Sequence, residues 1–239
     1  MIQQIIAVTI VTLFLVISDS EMALIIFDLD NTLLAGDSDY EWGQFLVDKK
    51  LVDKKEYEAA NILFYEDYKN GTLDIIKYSA FSFKPLSVRT MEELEVLHKE
   101  FMQTVILPLI SDKARKLVND HRKNGDTLLI ITATNSFITR PIAKEFGIEN
   151  ILATEPKIVD GRYTTDVDGT PCFQEGKITR LNEWLKDKEH SLQGSLFYSD
   201  SHNDISLLEV VDTPIAVDPD EKLEEIAQQR SWKIISLRS

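Results

Sequence analysis

The stretch LIIFDLDNTLL, residues 24–34, is the part of the sequence from which the fold can be worked out. Leu24 to Phe27 form a short apolar run, which is typical of a strand buried on both faces. Two carboxylates, Asp28 and Asp30, follow where this strand ends. Burying an unpaired carboxylate costs several kcal/mol, which is comparable to the stability margin of a whole domain. The two aspartates therefore require a compensating partner from elsewhere in the chain.

Short apolar runs recur along the chain and alternate with helical patterns. The runs that indicate buried strands lie at residues 23–27, 127–132, 151–154, 195–198 and 214–217. The helical patterns of the same region lie at residues 112–124, 136–146, 175–188 and 219–229. This alternation predicts the α/β class, with a Rossmann-like open parallel sheet and helices on both faces. Residues 157–165 predict a hairpin that turns at Asp160-Gly161.

One segment interrupts this alternation. Residues 38–104 contain no convincing buried strand, and they read as helices at 39–50, 53–69, 72–81 and 91–104. An insertion after the first strand would cover the carboxyl end of the sheet, where open α/β folds bind ligands. We therefore predict a catalytic core of residues 22–36 and 105–239, with residues 37–104 inserted as a helical cap.

The first 21 residues are excluded from the predicted fold. Ile5 to Ile17 is almost wholly apolar, but it is shorter than the roughly 20 residues that a spanning helix needs. It also lacks the basic start and small-residue cleavage site of a signal peptide. The alternatives are translation that starts at Met22, a weak signal, or an uncleaved anchor. Contact with a membrane is expected only if the anchor is real.

Charge and cysteine content restrict the partners. The chain of 239 residues has 26 Lys and Arg against 40 Asp and Glu, a net charge of −14. This balance argues against nucleic acid and anionic membranes as partners. An anionic substrate would need a local site, such as a metal ion or a helix N-terminus. The single cysteine, Cys172, permits no internal disulfide and suits a reducing compartment, so we expect a cytoplasmic protein.

A second pair of aspartates follows another predicted strand. Asp200 and Asp204 come after the apolar run at 195–198. Together with the first pair they place four carboxylates at strand ends, where they would repel one another without a cation. All-oxygen ligands favour a hard divalent ion, Mg²⁺ above all. The sequence therefore predicts a magnesium site.

Two further features fit a phosphate group. The strand at 127–132 ends at Thr132, and a helix begins near Ser136. Hydroxyl groups and free backbone N–H groups at a helix N-terminus bind anions. Lys177 opens the next predicted helix, where its ammonium group would neutralise a second phosphate oxygen.

These residues, taken in order, resemble the four motifs of the haloacid dehalogenase superfamily. The matching residues are Asp28-x-Asp30-x-Thr32, Thr132 after an apolar strand, Lys177, and Asp200-x-x-x-Asp204. The helical insertion resembles the phosphoserine-phosphatase-like branch, subfamily IB. Gly36-Asp37-Ser38-Asp39 and the Tyr-Ser-Asp-Ser form of the last motif are similar to a bacterial group described as histidinol-phosphatase-like or phosphoserine-phosphatase-like. The resemblance covers residues 22–218, and it implies a phosphomonoester hydrolase.

The resemblance implies the roles of the acidic residues. Asp28 would be the nucleophile that takes the phosphoryl group as an aspartyl-phosphate. Asp30 would protonate the leaving oxygen and then activate water. Mg²⁺ would be held by Asp28, the backbone carbonyl of Asp30 and Asp200, with Asp204 in support.

The resemblance also implies how the rest of a small phosphomonoester is held. Thr132 and Lys177 would bind the phosphoryl oxygens, and Asn203 would contact phosphate or substrate. Phosphoserine phosphatases carry a glutamate that reads the substrate amine where this chain has Asp37. No arginine clearly matches the one that binds the serine carboxylate, and Arg89 and Lys84 are the candidates. An amine reader without a clear carboxylate reader favours an amino-alcohol phosphate such as histidinol phosphate over phosphoserine.

One alternative belongs to another class of protein. A signalling protein of the receiver type also accepts phosphate on an aspartate, and it also uses a Mg²⁺-bound acidic cluster and a lysine. Receivers, however, have no Asp-x-Asp motif at the first strand and no helical cap. The sequence therefore favours a hydrolytic enzyme.

Overall fold

The computed structural model describes residues 22–188 and 190–238. The predictions made for residues 1–21 lie outside the described residues. Within the described ranges, no helix combines the length and the apolar character needed to cross a membrane.

The described residues form a core of one seven-stranded sheet, in which the strand that precedes the first acidic motif is central. Its strands are β1 (Leu24–Phe27), β2 (Thr127–Asn135), β3 (Asn150–Val159), β4 (Arg162–Asp168), β5 (Leu196–Ser199), β6 (Thr213–Val217) and β7 (Lys233–Ile235). Their order across the sheet is β4-β3-β2-β1-β5-β6-β7. All neighbours are parallel except β3 and β4, which form the hairpin predicted at Asp160-Gly161.

The helices cover both faces of this sheet and also form the insertion after β1. They are α1 (Ser38–Asp48), α2 (Lys54–Asn70), α3 (Ile75–Ser87), α4 (Met91–Phe101), α5 (Leu107–Leu109), α6 (Asp112–Lys123), α7 (Ser136–Glu145), α8 (Glu175–Leu185), α9 (Ile205–Leu208) and α10 (Glu221–Gln229). The first four lie in the segment predicted to form a cap. Each of these four begins at a residue whose side chain accepts a backbone N–H bond, namely Asp37, Asp53, Asp74 and Thr90.

The side chains of β1 explain why this strand is central. Ile25 and Phe27 belong to one hydrophobic cluster, which includes side chains of α6 and α7. Leu24 and Ile26 point to the opposite face, into a cluster that includes side chains of α8 and α10. Full burial of such a side chain contributes about 1.5–3 kcal/mol. The strand is therefore held from both faces, and its carboxyl end is a fixed point for the aspartates that follow.

The two chain segments that connect α1–α4 to the sheet lie side by side. Leu34 and Ile110 form an antiparallel bridge, and the N–H of Ala35 donates to the carbonyl of Leu109 at 2.8 Å. The segment that enters the insertion and the segment that leaves it are thus hydrogen-bonded to each other just after the turn that carries Asp30.

The predicted fold class is confirmed, and the differences are local. β2 runs three residues beyond the predicted strand, to Asn135, and α3 runs six residues beyond its predicted end, to Ser87 with Pro85 inside it. β7 was not predicted, because it has only three residues and two of them are exposed. Such a short edge strand has little apolar pattern to read.

Candidate active site

A buried lysine joins the first and last acidic motifs. Lys177 Nζ lies 2.8 Å from Asp28 Oδ1 and 2.7 Å from the Asp204 carboxylate. The Ser199 hydroxyl also donates to Asp204, at 2.7 Å. Gly176 permits this approach, because a Cβ atom there would lie 2.0 Å from the carbonyl oxygen of Pro171. The start of α8 therefore packs closely enough to bring the ammonium group against β1 and β5.

The other side of Asp28 faces a second aspartate. The Thr32 hydroxyl lies 3.1 Å from Asp200 Oδ1 and 3.5 Å from Asp28 Oδ2. The chain reaches this position by an irregular turn, in which Asp30 is extended and Asn31 has a left-handed φ of 54°. One hydroxyl hydrogen cannot satisfy both carboxylates, so Asp28 and Asp200 present oxygens to one shared region.

Burial and mutual repulsion control the protonation of this cluster. Burial, together with Asp204 and Asp30, raises the pKa of Asp28 to about 7, although Lys177 acts against the shift. Burial and the neighbouring Asp28 hold the pKa of Asp200 well above its usual range. Burial lowers the pKa of Lys177, but its two carboxylate partners outweigh this and hold it above the ordinary value. The cluster thus has three carboxylates for one ammonium group.

A divalent ion matches this excess of negative charge. Among the described residues, no group of three or more His, Cys, Asp or Glu side chains is arranged to hold a metal ion. Mg²⁺ does not need such a group, since it is commonly bound by one or two carboxylates together with water. Asp28 and Asp200, on either side of Thr32, supply two such carboxylates. With all three carboxylates of the cluster ionised, as a bound cation would favour, their net charge together with Lys177 is −2.

Asp30 and Asp37 lie at the N-terminus of α1. The N–H of Ser38 donates to Asp30 Oδ1 at 2.7 Å. Asp37 is the N-cap of this helix, and its Oδ1 accepts from the N–H groups of Asp39 and Tyr40 at 2.9 and 3.0 Å. Burial raises the pKa of both carboxyls to about 6, with Asp37 adding to the shift at Asp30.

The end of β2 contributes hydroxyl groups to the same region. Thr132 Oγ1 lies 3.5 Å from Asp30 Oδ2 and accepts the N–H of Thr134 at 3.2 Å. The helix α7 begins directly after this strand, with Asn135 as its N-cap. Hydroxyl groups and backbone N–H groups thus meet at the end of β2 and the start of α7, and these are the donors that an anion site uses.

These groups open into a cavity of about 750 Å³. Its lining includes Asp28, Asp30, Asp37, Thr132, Lys177, Asn203 and Asp204. The aromatic part of the lining comes from Tyr40, Phe64, Tyr65, Tyr68, Tyr78 and Phe173. Among the described residues that line the cavity, Lys177 is the single cation, and its ammonium group is already held by two carboxylates. All other charged side chains among the described lining residues are carboxylates.

The structure does not bring Arg89 into this cavity. Its guanidinium donates to the carbonyl of Pro85 at 2.5 Å and to that of Leu51 at 2.9 Å. Arg89 is not among the described residues that line the cavity, and its donors are used at the end of α3 and in the loop between α1 and α2. The structure therefore gives no support to the prediction that Arg89 binds substrate. Asn203 does reach the cavity, but its amide is held by Gln174 at 3.0 Å and by the carbonyl of Tyr68 at 3.2 Å.

Sequence reasoning missed the role of Asp39. This buried residue of α1 accepts hydrogen bonds from the Tyr78 hydroxyl at 2.5 Å and from the Ser82 hydroxyl at 2.9 Å, both on α3. The amide of Asn135, at the end of β2, lies 3.4 Å from the same carboxylate. Asp39 thus connects two helices of the insertion to the sheet. Its position two residues after Asp37 was visible, but the burial depends on α3.

Sequence reasoning also missed Arg238. Its guanidinium donates to the carbonyls of Asn31 and Leu34, at 3.1 Å in the second case. These carbonyls belong to the irregular turn that carries Asp30. No pattern near residue 238 points to a contact 207 residues away in the chain.

Comparison with known protein families identifies the class of enzyme. Residues 25–209 match the model of haloacid dehalogenase-like hydrolases. The chain belongs to this family. The predicted superfamily and the prediction of a hydrolytic enzyme are thereby confirmed, and the receiver alternative finds no support.

Individual members of the family are also similar. This hydrolase is 48% identical over 219 residues to a histidinol-phosphatase of Neisseria meningitidis serogroup C, with 90% of this chain and 99% of the relative covered. A crystal structure of a protein of unknown function from Bordetella pertussis Tohama I is 43% identical, with a TM-score of 0.85 and coverage of 91% and 99%. A substrate-bound phosphoserine phosphatase has a TM-score of 0.68 at 19% identity, with coverage of 91% and 94%. This last likeness shows the fold alone.

Proposed function

We propose that this hydrolase is a phosphomonoesterase that cleaves a small amine-bearing phosphate through an aspartyl-phosphate intermediate. The observation that carries the proposal is the position of Asp28, which lies at the cavity in contact with Lys177 and faces Asp200 across Thr32. A carboxylate held in this way is placed to act as a nucleophile, and it has a cation nearby to bind phosphoryl oxygens.

The chemistry takes two steps. The Asp28 carboxylate attacks phosphorus, the bond from phosphorus to the leaving oxygen breaks, and Asp30 donates a proton to that oxygen. Asp30 then removes a proton from a water molecule, which attacks the phosphorus of the aspartyl-phosphate and releases inorganic phosphate from Asp28. A pKa of about 6 at Asp30 suits both directions near neutral pH. Thr132 and Lys177 hold the phosphoryl oxygens throughout.

The residues present fit Mg²⁺. Asp28, Asp200 and the backbone carbonyl of Asp30 would hold the ion. Asp204 would support it indirectly, because its carboxylate is already held by Lys177 and Ser199. When bound, Mg²⁺ would neutralise charge on the phosphoryl oxygens, and it would favour the ionised form of Asp28 that attack requires.

The substrate proposed is histidinol phosphate. The 48% identity to a histidinol-phosphatase supports it. The wall of the cavity supports it as well, because Asp37 and Glu58 are negative and no free cation is present among the described lining residues. Phosphoserine carries a carboxylate that such a wall would repel. Helices α1–α4, in the proposed cap of residues 37–104, would then select the leaving group, while the proposed core of residues 22–36 and 105–239 performs the phosphoryl transfer.

A panel of phosphomonoesters tests this proposal. Phosphate release is measured with histidinol phosphate, phosphoserine, phosphoethanolamine and a sugar phosphate, each with Mg²⁺ and again with excess EDTA. We expect the highest kcat/KM with histidinol phosphate and loss of activity in EDTA that added Mg²⁺ restores. A preference for sugar phosphates would contradict the amine-bearing substrate. Full activity in EDTA would contradict the metal assignment.

A further inference from the structure

One face of α2 lines the cavity although it belongs to none of the four motifs. Phe64 of this helix lines the cavity at the edge of the face, whose other lining residues are Glu58, Asn61, Ile62, Tyr65 and Tyr68. The last four lie three, four, seven and ten positions after Glu58, so all five share one side of the helix. The face combines a carboxylate, an amide and two phenol rings.

Asn61 has an unused hydrogen-bonding group. Its Nδ2 atom is buried and has no hydrogen-bond partner among the described residues. A buried amide left without a partner is unfavourable, and such groups are uncommon in native proteins. The terminal amide can turn by half a rotation and present either its N–H₂ group or its oxygen to the cavity. A polar ligand group beside Asn61 would therefore satisfy what the protein leaves open.

Glu58 adds a negative charge one helical turn from Asn61. Its carboxylate lies 3.6 Å from Lys54 Nζ, and the side chains are 44% exposed at Glu58 and 69% exposed at Lys54. Exposed pairs of this kind hold their partners weakly, so the charge of Glu58 remains accessible to a ligand. Glu66 is a close counterpart on the same helix. It pairs with Lys69 at 2.8 Å, but it does not line the cavity.

Aromatic rings complete the surroundings of these two groups. Tyr65 and Tyr68 follow Asn61 on the same face of α2, and Tyr78 lines the cavity from α3. Aromatic faces attract planar cations and stack on flat rings. A carboxylate and an amide beside such rings suit a heteroaromatic ring that carries N–H groups.

We infer that Glu58 and Asn61 bind the ring nitrogens of an imidazole-bearing leaving group, while Asp37 on α1 binds the ammonium group of the same substrate. The inference rests on the proposed function, since it assigns the far end of the same cavity. Discrimination between amino-alcohol phosphates with and without a ring then comes from α2.

The test compares two substrates in three variants. kcat/KM is measured for histidinol phosphate and for phosphoethanolamine, which has the amine but no ring. In Asn61→Leu and in Glu58→Gln, the ratio of the two values falls roughly 10- to 100-fold, the loss expected for one hydrogen bond to a charged group. Glu66→Gln, the matched control, keeps the wild-type ratio. Inhibition of p-nitrophenyl phosphate hydrolysis by histidinol weakens in the same two variants, which gives a binding readout independent of turnover.

Other results would overturn the inference. Equal losses on both substrates in the two α2 variants would show that these residues support the fold or the cavity in general. An unchanged ratio would show that the ring lies elsewhere. Wild-type protein that cleaves phosphoethanolamine as efficiently as histidinol phosphate would refute the inference. The proposal of a phosphomonoesterase would still stand. Wild-type protein without activity on any phosphomonoester would refute the proposed function itself.

Discussion

The floor of the cavity, around Asp28 and Lys177, and its wall, formed by Asp37 and the lining residues of α1–α3, are built on different principles. On the floor, Lys177 and Asp28 meet at 2.8 Å, so charged atoms are already paired before any ligand arrives. On the wall, the buried amide nitrogen of Asn61 has no partner among the described residues, and in the same part of the chain Glu58 pairs only with an exposed lysine. Under the proposed function, the floor is arranged in advance for the phosphoryl group, which every phosphomonoester shares. The wall then leaves its polar groups open for the leaving group, which differs between substrates.

Removal of the proposed nucleophile, Asp28, should have the largest effect on this comparison. Asp28→Asn keeps the shape of the floor but cannot form the aspartyl-phosphate, so we expect turnover to fall by at least about 10⁴-fold on every substrate. Phosphate release is the measurement, and circular dichroism checks that the fold is kept. Wild-type activity in this variant would mean that another group on the floor attacks phosphorus.

Loss of the proposed general acid and base, Asp30, should have the next largest effect. Asp30→Asn can still accept the N–H of Ser38, and the proposed metal ligand at this position is the backbone carbonyl. We therefore expect the rate to fall by roughly 10²–10⁴-fold while Mg²⁺ affinity, measured by calorimetry, is unchanged. A comparable loss of Mg²⁺ affinity would instead place the Asp30 side chain in the metal shell.

The pairing on the floor can be broken by removal of its cation. Lys177→Met leaves the buried Asp28 and Asp204 without their partner, which should lower the free energy of unfolding by about 3–5 kcal/mol. Lys49→Met is the control, because its pair with Glu100 is exposed and should contribute only about 0–1 kcal/mol. Urea unfolding compares them, and equal losses would mean that the floor is no more tightly paired than the surface.

The wall should respond selectively. Asp37→Asn retains an N-cap for α1, because asparagine caps helices as well as aspartate does. The loss of a charge-assisted contact should reduce kcat/KM for amine-bearing phosphates by roughly 10- to 150-fold, while p-nitrophenyl phosphate is spared. Steady-state kinetics on both substrates provide the measurement. A uniform loss would assign Asp37 to the floor rather than to the wall.

The smallest effect is expected at Asp39, which joins the insertion to the sheet. Burial raises the pKa of Asp39 in the folded state from 3.8 to about 6. A raised carboxyl pKa adds stability at low pH that is lost as pH rises through the folded value. In the wild type, this carboxyl should make the free energy of unfolding about 1 kcal/mol larger at about pH 5.5 than at about pH 7.5. Asp39→Asn should abolish this contribution. Urea titrations at both pH values measure this, and an identical pH dependence in the two proteins would contradict it.

The same contrast explains what the sequence could predict. Asp28, Asp30, Asp200 and Asp204 follow buried strands, and parallel strands bring such ends together by topology alone. The hairpin was predictable because Asp160-Gly161 is a local turn signal. The residues of the floor can thus be predicted from short local patterns, without information on how the helices pack.

The wall depends on packing between distant helices, which no short pattern encodes. Asp39 is buried only because Tyr78 and Ser82 of α3 cover it. Arg89 was assigned to substrate by its charge, whereas nearby carbonyls hold its guanidinium. Asn61 lies on the face of α2 that lines the cavity, and nothing in the sequence of α2 alone shows which face that is. Local sequence therefore predicts these residues poorly.

The central position of β1 has a consequence for the order in which the protein is made. This strand is synthesised early, but its neighbours begin at Thr127 and Leu196, and Lys177 lies 149 residues beyond Asp28. Contacts between such distant segments form slowly, and apolar strands that wait for partners are prone to aggregate. A nascent chain must therefore keep Leu24–Phe27 protected through the synthesis of the whole insertion, and the aspartates of the first and last acidic motifs meet only after β5 has emerged.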